Sequence, residues 1–264
     1  MKAAITGYRG FIGRRLLSFF DLSVGIEEGH TKDELYQTLS DFKPDVVFHI
    51  GACSDTLVSD VNYIMQTNYI STKWITDWCY ENKVKLIYAS SASVYGTNGD
   101  NPTNLYGWSK LLGEDYVINK GGIALRYFNV YGPGEEHKGK MASMIYQNLN
   151  NNEIKLFPGK PKRDFVYIDD IINANLYALE NYDTLKGNWY EVGSGESNTF
   201  ETIFDNLGNL IKSGAIIAFD EYFNYPGWEG HEHKAFLEFC DKFHVNFDYI
   251  AYVENGNQVA VRIL

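Results

Sequence analysis

The 264-residue sequence predicts an α/β fold: a doubly wound parallel sheet with helices on both faces and a smaller C-terminal region. Three observations carry that expectation. Short apolar runs alternate with helix-length stretches through the first half of the chain, the pattern of strand–helix–strand units. The first run, Ala3 to Ile5, feeds straight into a glycine-rich turn. A later one, Ile87 to Ala89, ends in small hydroxyl residues, where an open parallel sheet places its ligands.

Taken in order, a strand at 2–6 is followed by a helix from about 11 to 20 and a strand near 23–27. A helix over 31–42 comes next, with Thr31 and Glu34 spaced as a capping box, then a strand at 45–50. A helix near 60–81, a strand at 84–90, a helix at 105–119 and a strand at 122–127 complete the alternation. Only one strand and one helix fit between Gly13 and Gly51, so the sheet lacks a further strand there. These elements make residues 1–128 one domain, to which 163–180 return through a short strand and a helix. Residues 129–162 and 181–246 form the substrate-binding region, with another strand and a glycine turn at 189–195. Residues 247–264 alternate apolar and polar around Asn255-Gly256, a β-hairpin signal.

The turn behind the first strand reads Thr6-Gly7-Tyr8-Arg9-Gly10-Phe11-Ile12-Gly13. Glycines at this spacing permit a tight turn and let backbone N–H groups approach a dinucleotide pyrophosphate at a helix N-terminus, the Rossmann arrangement. The alternative is a turn that merely packs a helix on a strand. Tyr106-Gly107-Trp108-Ser109-Lys110 puts a phenol and an ammonium one helical turn apart on one face. The Lys110 charge is then expected to lower the Tyr106 pKa, so that the phenol can take a proton from a substrate hydroxyl and return it. The spacing alone is weak, and Tyr116 with Lys120 repeats it. The third motif, Tyr88-Ala89-Ser90-Ser91-Ala92-Ser93-Val94-Tyr95-Gly96, offers a serine hydroxyl to the same substrate oxygen, or else is a strand end with loop serines.

A net charge of −11 argues against nucleic acid as a partner, and no apolar run approaches the roughly 20 residues of a membrane span. Cys53, Cys79 and Cys240 are odd in number and follow no metal pattern, which fits a reducing cytoplasm. Lys138, Lys140, Lys160, Lys162 and Arg163 supply local positive charge for an anionic ligand, or a solvated edge. The stretch Tyr225 to His233 holds two histidines and Glu232; without a third ligand at a regular spacing it reads as a polar loop rather than a metal site.

Together these motifs resemble the extended short-chain dehydrogenase/reductase superfamily over residues 1–200. Arg126 to Pro133 and Arg163 to Asp170 resemble its nucleotide-sugar epimerase branch. His137-Lys138-Gly139-Lys140-Met141-Ala142-Ser143 is similar to a segment of the ADP-L-glycero-D-manno-heptose 6-epimerases. The resemblance implies an NAD(P)-dependent epimerase with one NADP or NAD bound tightly per subunit, acting on a nucleotide-diphosphate sugar, as a homo-oligomer.

It also implies roles. Tyr106 is the acid/base, Lys110 its modulator and ribose ligand, and Ser91 the hydroxyl partner. Ser91 is preferred over Ser90 and Ser93 because it lies four before Tyr95. Lys138 is a second proton carrier, or only a phosphate ligand. Gly7, Arg9, Gly10, Phe11, Ile12, Gly13, Glu27, Gly51, Ala52, Cys53, Asn68 and Val130 would hold the cofactor. Asn129, Lys140, Gln147, Phe157, Lys160 and Arg163 would meet the nucleotide sugar. Glu27 or Glu28 favours NAD by repelling a 2′-phosphate, whereas Arg9 favours NADP. Gln147 stands where those epimerases carry a histidine, which leaves a UDP-hexose 4-epimerase open. A dehydratase is disfavoured because Ala92-Ser93 follow Ser91. A non-catalytic nucleotide-binding member is the alternative of another class.

Overall fold

The computed structural model describes residues 1–27, 29–96, 99, 101–143, 146, 153–155, 162–197, 213–214, 216–219, 222, 232–252 and 259–264. The chain divides into two compact units, Met1–Met141 with Val166–Gly193, and Ala142–Phe165 with Ser194–Leu264.

The first unit is built on six strands: β1 (Lys2–Thr6), β2 (Leu22–Ile26), β3 (Val46–His49), β4 (Lys85–Ser91), β5 (Ile123–Tyr127) and β9 (Asn188–Val192). They lie in the order β2-β1-β3-β4-β5-β9, and every pairing is parallel. Their near-continuous apolar sequences follow from burial on both faces. Ala3, Ile5, Val46, Phe48, Ile87 and Ala89 join the core on one face, while the intervening Ala4, Val47, Leu86 and Tyr88 join the core on the other. β2 forms one edge.

Helix α1 (Phe11–Leu17) stops short of the expected end at 20, because the N–H groups of Phe19 and Phe20 turn back to carbonyls three residues earlier. Helix α2 (Lys32–Phe42) carries the expected capping box between Thr31 and Glu34, worth about 1 kcal/mol. The helix predicted over 60–81 is interrupted. An α-helical turn, α3 (Val61–Ile64), runs into a π-helical segment, Met65–Ile70, before α4 (Ser71–Asn82) resumes. Helix α5 (Leu105–Asn119) matches its expected bounds and is capped by the Asn104 side chain, which accepts from the Gly107 N–H.

Two sequence-derived boundaries differ from the structure. Strand β9 pairs with β5 along the sheet, so residues 181–193 pack with the first unit. Residues 129–141 lie there too: Arg14 of α1 donates to the Gly134 carbonyl and faces Glu136 at 3.5 Å, tying that segment to the sheet's own helix. β6 (Asn129–Tyr131) and β8 (Phe165–Tyr167) form a separate two-stranded sheet; the strand expected to rejoin the main sheet does not. Helix α6 (Ile168–Glu180) does return, burying Ile171, Ile172, Ala178 and Leu179 against the sheet. A single helical turn, α7 (Tyr182–Leu185), leads on to β9.

The second unit holds a four-stranded sheet, β7 (Glu153–Lys155), β10 (Ile216–Phe219), β11 (Phe247–Tyr252) and β12 (Val259–Ile263), ordered β11-β12-β10-β7. The antiparallel β11–β12 pair flanks Asn255-Gly256, which themselves lie outside the described residues. Helix α8 (Glu232–Phe243), which the sequence pattern did not reveal, packs Phe236, Phe239 and Cys240 on Ile217, Phe219 and Val261.

Candidate active site

Strand alternation decides which serine faces the chemistry. Ser90 and Ser91 end β4 and point to opposite faces. The Ser90 hydroxyl donates to Glu114 Oε2 at 2.6 Å, inside the sheet–helix layer. Ser91 instead hydrogen-bonds the Tyr106 phenol, and its Oγ also accepts from the Ser93 N–H at 3.2 Å. The structure thus brings the Ser91 and Tyr106 hydroxyls together.

Lys110 lies one turn beyond Tyr106 and is almost wholly buried. Its ammonium sits over the Tyr88 ring, 4.3 Å from the centroid. Burial pushes its pKa down to about 7, opposed by the Glu114 carboxylate one turn further on. The expected lowering of the Tyr106 pKa by Lys110 is not found. Burial raises the phenol's pKa, and the Ser91 hydroxyl only partly offsets this. The physical reason is desolvation: burial costs the phenolate more solvation than its hydrogen-bond partner restores. Any downward pull on Tyr106 from the protein's own groups comes from the Ser91 hydrogen bond.

Glu114 is fully buried and paired with Arg126, whose Nε donates to both carboxylate oxygens at 3.1 and 3.0 Å. The Arg126 guanidinium lies 3.5 Å from the Trp189 ring centroid and donates to the Tyr95 hydroxyl at 2.7 Å. Sequence reasoning missed Glu114. Its position four after Lys110, on the same helix face, was the available signal.

Asn68 stands in the π-helical segment, 1 % exposed. A π turn often marks a functional position because it re-aims a residue out of the regular ladder. The amide grips the loop after β3, its Oδ1 accepting from the Cys53 N–H at 2.8 Å and its Nδ2 donating to the Cys53 carbonyl at 3.0 Å. The same Nδ2 donates to Ser109 Oγ at 2.9 Å, and Ser109 donates to the Tyr106 carbonyl at 2.7 Å.

The glycine turn fits a pyrophosphate. Gly7 has φ +62°, and a Cβ there would stand 2.6 Å from Gly51 Cα. A Cβ on Gly13 would stand 2.1 Å from the Gly7 carbonyl oxygen, so neither position admits a side chain. Gly10, the N-cap of α1, has no side chain to satisfy the first N–H groups of that helix. Beside the turn is a cavity of about 580 Å³ bordered by Gly7, Ile26, Glu27, Gly51, Ala52 and Thr67. That volume suits an adenosine-sized group. Glu27 ends the wall as a carboxylate, accepting from the Arg9 N–H at 2.9 Å, while the Arg9 guanidinium lies over the Tyr8 ring. Phe11 is buried, and Ile12 and Val130 pack against the core of the sheet.

Lys138 follows Glu135, a fully buried carboxylate that also accepts from the Gly132 N–H at 3.1 Å. The lysine's Nζ is 3.3 Å from Glu135 Oε2 and 4.7 Å from the Phe11 ring centroid, beside the first turn of α1. Asn129 is exposed at the start of β6. Arg163 is exposed in the second unit, its Nη1 donating to the Lys162 carbonyl at 2.9 Å. Gln147, Phe157, Lys160 and Glu28 lie outside the described residues, as does the side chain of Lys140. No group of three metal-ligating side chains occurs among the described residues, and none of their helices is long and apolar enough to cross a membrane.

A glycine cradle on a parallel sheet, with a Ser–Tyr–Lys set at the ends of β4 and α5, defines a dinucleotide-binding protein equipped for alcohol–ketone interconversion. Residues 26–193 match the NAD dependent epimerase/dehydratase family, and the chain belongs to that family. It is similar to the ADP-L-glycero-D-manno-heptose-6-epimerase of Brachyspira hyodysenteriae, 37 % identical over 224 residues, covering 76 % of this chain and 68 % of that one. Among solved structures it is similar to the Helicobacter pylori ADP-L-glycero-D-manno-heptose-6-epimerase, with 31 % identity and a TM-score of 0.72 over 80 % of this chain and 82 % of that one. It is also similar to the Bacillus cereus UDP-glucuronic acid 4-epimerase in complex with NAD, with 26 % identity and a TM-score of 0.67 over 80 % and 84 % of the two chains.

Proposed function

We propose that this chain is an NAD(P)-dependent nucleotide-sugar epimerase that inverts one sugar carbon by transient oxidation, most like the ADP-L-glycero-D-manno-heptose 6-epimerases. The observation that carries the reading is the Ser91–Tyr106 hydrogen bond with Lys110 one turn beyond. The identity to a heptose epimerase over three quarters of the chain supports the substrate class.

The nicotinamide supplies the hydride chemistry when bound; this chain supplies the cradle and the proton handling. Gly7, Gly10 and Gly13 with Gly51 take the pyrophosphate, and Glu27 faces the adenosine ribose. Ser91 orients the reacting oxygen, and Tyr106 takes its proton and returns it. Lys110, its pKa down to about 7 and so partly neutral, accepts the phenol's own proton as Tyr106 takes that of the substrate, and gives it back when the hydride returns. Lys138 serves the opposite face of the sugar, positioned by Glu135. Asn129, Lys140, Gln147, Phe157, Lys160 and Arg163 bind the nucleotide sugar, where a guanidinium offers paired hydrogen bonds to phosphate. The protein works in the cytoplasm as a homo-oligomer.

A panel of nucleotide sugars in deuterated water, followed by NMR, tests the proposal. Inversion of an ADP-heptose at carbon 6 without solvent deuterium at that carbon is expected, since the hydride returns to where it left. Turnover of a UDP-hexose alone would move the assignment to the 4-epimerases. Deuterium at the inverted carbon would refute hydride return.

A further inference from the structure

At the end of β3, buried among apolar strand residues, stands His49, 2 % exposed and bonded on both ring nitrogens. Its Nδ1 lies 2.7 Å from Thr6 Oγ1, and Thr6 Oγ1 accepts from the Gly51 N–H at 2.9 Å. Its Nε2 lies 2.8 Å from Thr72 Oγ1, and Thr72 bonds the Asn68 carbonyl. A carbonyl has no proton to give, so Thr72 donates to Asn68 and its lone pairs face the ring. Nε2 must then carry the hydrogen, and Nδ1 accepts from the Thr6 hydroxyl. Burial and the neighbouring Lys110 hold the imidazole neutral, with its pKa down to about 3. One tautomer is therefore specified.

The run continues from Asn68 through Ser109 to the Tyr106 carbonyl. Thr6, His49 and Gly51 also border the cavity beside the glycine turn. We propose that His49 is a positioning residue that couples the dinucleotide cradle to the helix bearing Tyr106. At one end its Nδ1 sets Thr6, and through it the Gly51 backbone packed on Gly7. At the other end its Nε2–H sets Thr72 and the π turn carrying Asn68. Two packed elements, β1 and the α3–α4 helix, are held in register by one ring.

Substitutions that keep one half of the ring separate the two ends. His49→Asn retains an acceptor near the Nδ1 position, and His49→Gln retains a donor near Nε2. Titration calorimetry of the full chain with NAD and with NADP, beside turnover of an ADP-heptose, reads both ends. We expect His49→Gln to weaken dinucleotide binding roughly five- to ten-fold, the worth of one buried hydrogen bond, and to slow turnover less. For His49→Asn the order reverses. Thr72→Val should mimic His49→Asn and Thr72→Ser should recover most of the loss, which keeps the test decisive if the histidine variants fail to fold. Equal losses at both ends in both histidine variants, or a lowered Tm with binding and turnover unmoved, would overturn the proposal.

The turnover arm rests on the epimerase reading. If the wild type inverts no heptose, that reading falls alone, and hydrogen exchange then judges His49. NAD saturation should slow exchange of the amides of residues 105–110 in the wild type and less so in Thr72→Val; equal protection would refute the coupling.

Discussion

The two units are built on opposite economies of burial. Every buried polar or charged residue among those described lies in the first unit, including Thr6, His49, Asn68, Thr72, Ser109, Lys110, Glu114 and Arg126. The core of the second is apolar and aromatic, with Phe219, Tyr222, Phe236 and Phe239 around Ile217 and Val261. Several of its rings meet edge-on, Phe219 and Phe236 with centroids 5.1 Å apart and Phe236 and Phe247 at 4.7 Å. An apolar core needs only volume and shape, whereas buried polar groups must each find a partner in a fixed direction. The first unit spends stability on direction because its chemistry depends on where protons point.

Removing the Tyr106 hydroxyl would break this contrast most sharply. Tyr106→Phe should lower turnover by roughly 10²- to 10⁴-fold while the urea midpoint stays within experimental error of the parent. In the other unit Phe236→Ala is expected to lower stability by about 3–5 kcal/mol through cavity formation, measured by urea unfolding. A smaller loss would mean that the aromatic cluster collapses around the gap.

Lys110→Met sharpens the comparison from the side of stability. The lysine's pKa falls from 10.5 in the unfolded chain to about 7 in the folded one, so the unfolded state holds its proton more tightly. Its burial therefore costs stability most at and below pH 7, and the cost fades as pH rises towards 10.5. The methionine variant should be more stable by roughly 1–3 kcal/mol at pH 6.5, inactive, and indistinguishable from wild type in stability near pH 10.5. Equal stability at pH 6.5 would show that Lys110 is better solvated than its surroundings suggest.

The smallest effect near neutral pH concerns His49, whose pKa is lowered from 6.5 to about 3. Its stabilising contribution is complete above pH 6.5 and is lost as pH falls towards 3, with a slope of up to about 1.4 kcal/mol per pH unit. His49→Gln should flatten the stability–pH curve across that window, as read by urea midpoints at several pH values.

The sheet was legible in the sequence because apolar strands buried on both faces leave a plain pattern, and because glycines at 7, 10 and 13 answer to local backbone geometry. The capping box at Thr31 and Glu34 and the span of α5 are local for the same reason. The π segment at Met65–Ile70 left no such mark, since an extra residue in a helical turn is decided by what packs on it. β9 was misassigned because strand partnership is a long-range matter. Its pairing with β5 brings together residues far apart in the chain.

What the sequence by itself determined is the inventory: a phenol, a lysine and a serine at the spacings this chemistry uses, behind a cradle that only glycine can form. Tertiary structure alone decided their proton affinities. Burial outweighs the Ser91 hydrogen bond at Tyr106 and takes Lys110 itself to about 7. It also decided that an inconspicuous histidine, closing a four-residue apolar strand, stands between cradle and helix. Spacing along a chain sets which groups can share a face, but desolvation and hydrogen-bond direction depend on neighbours that only folding assembles.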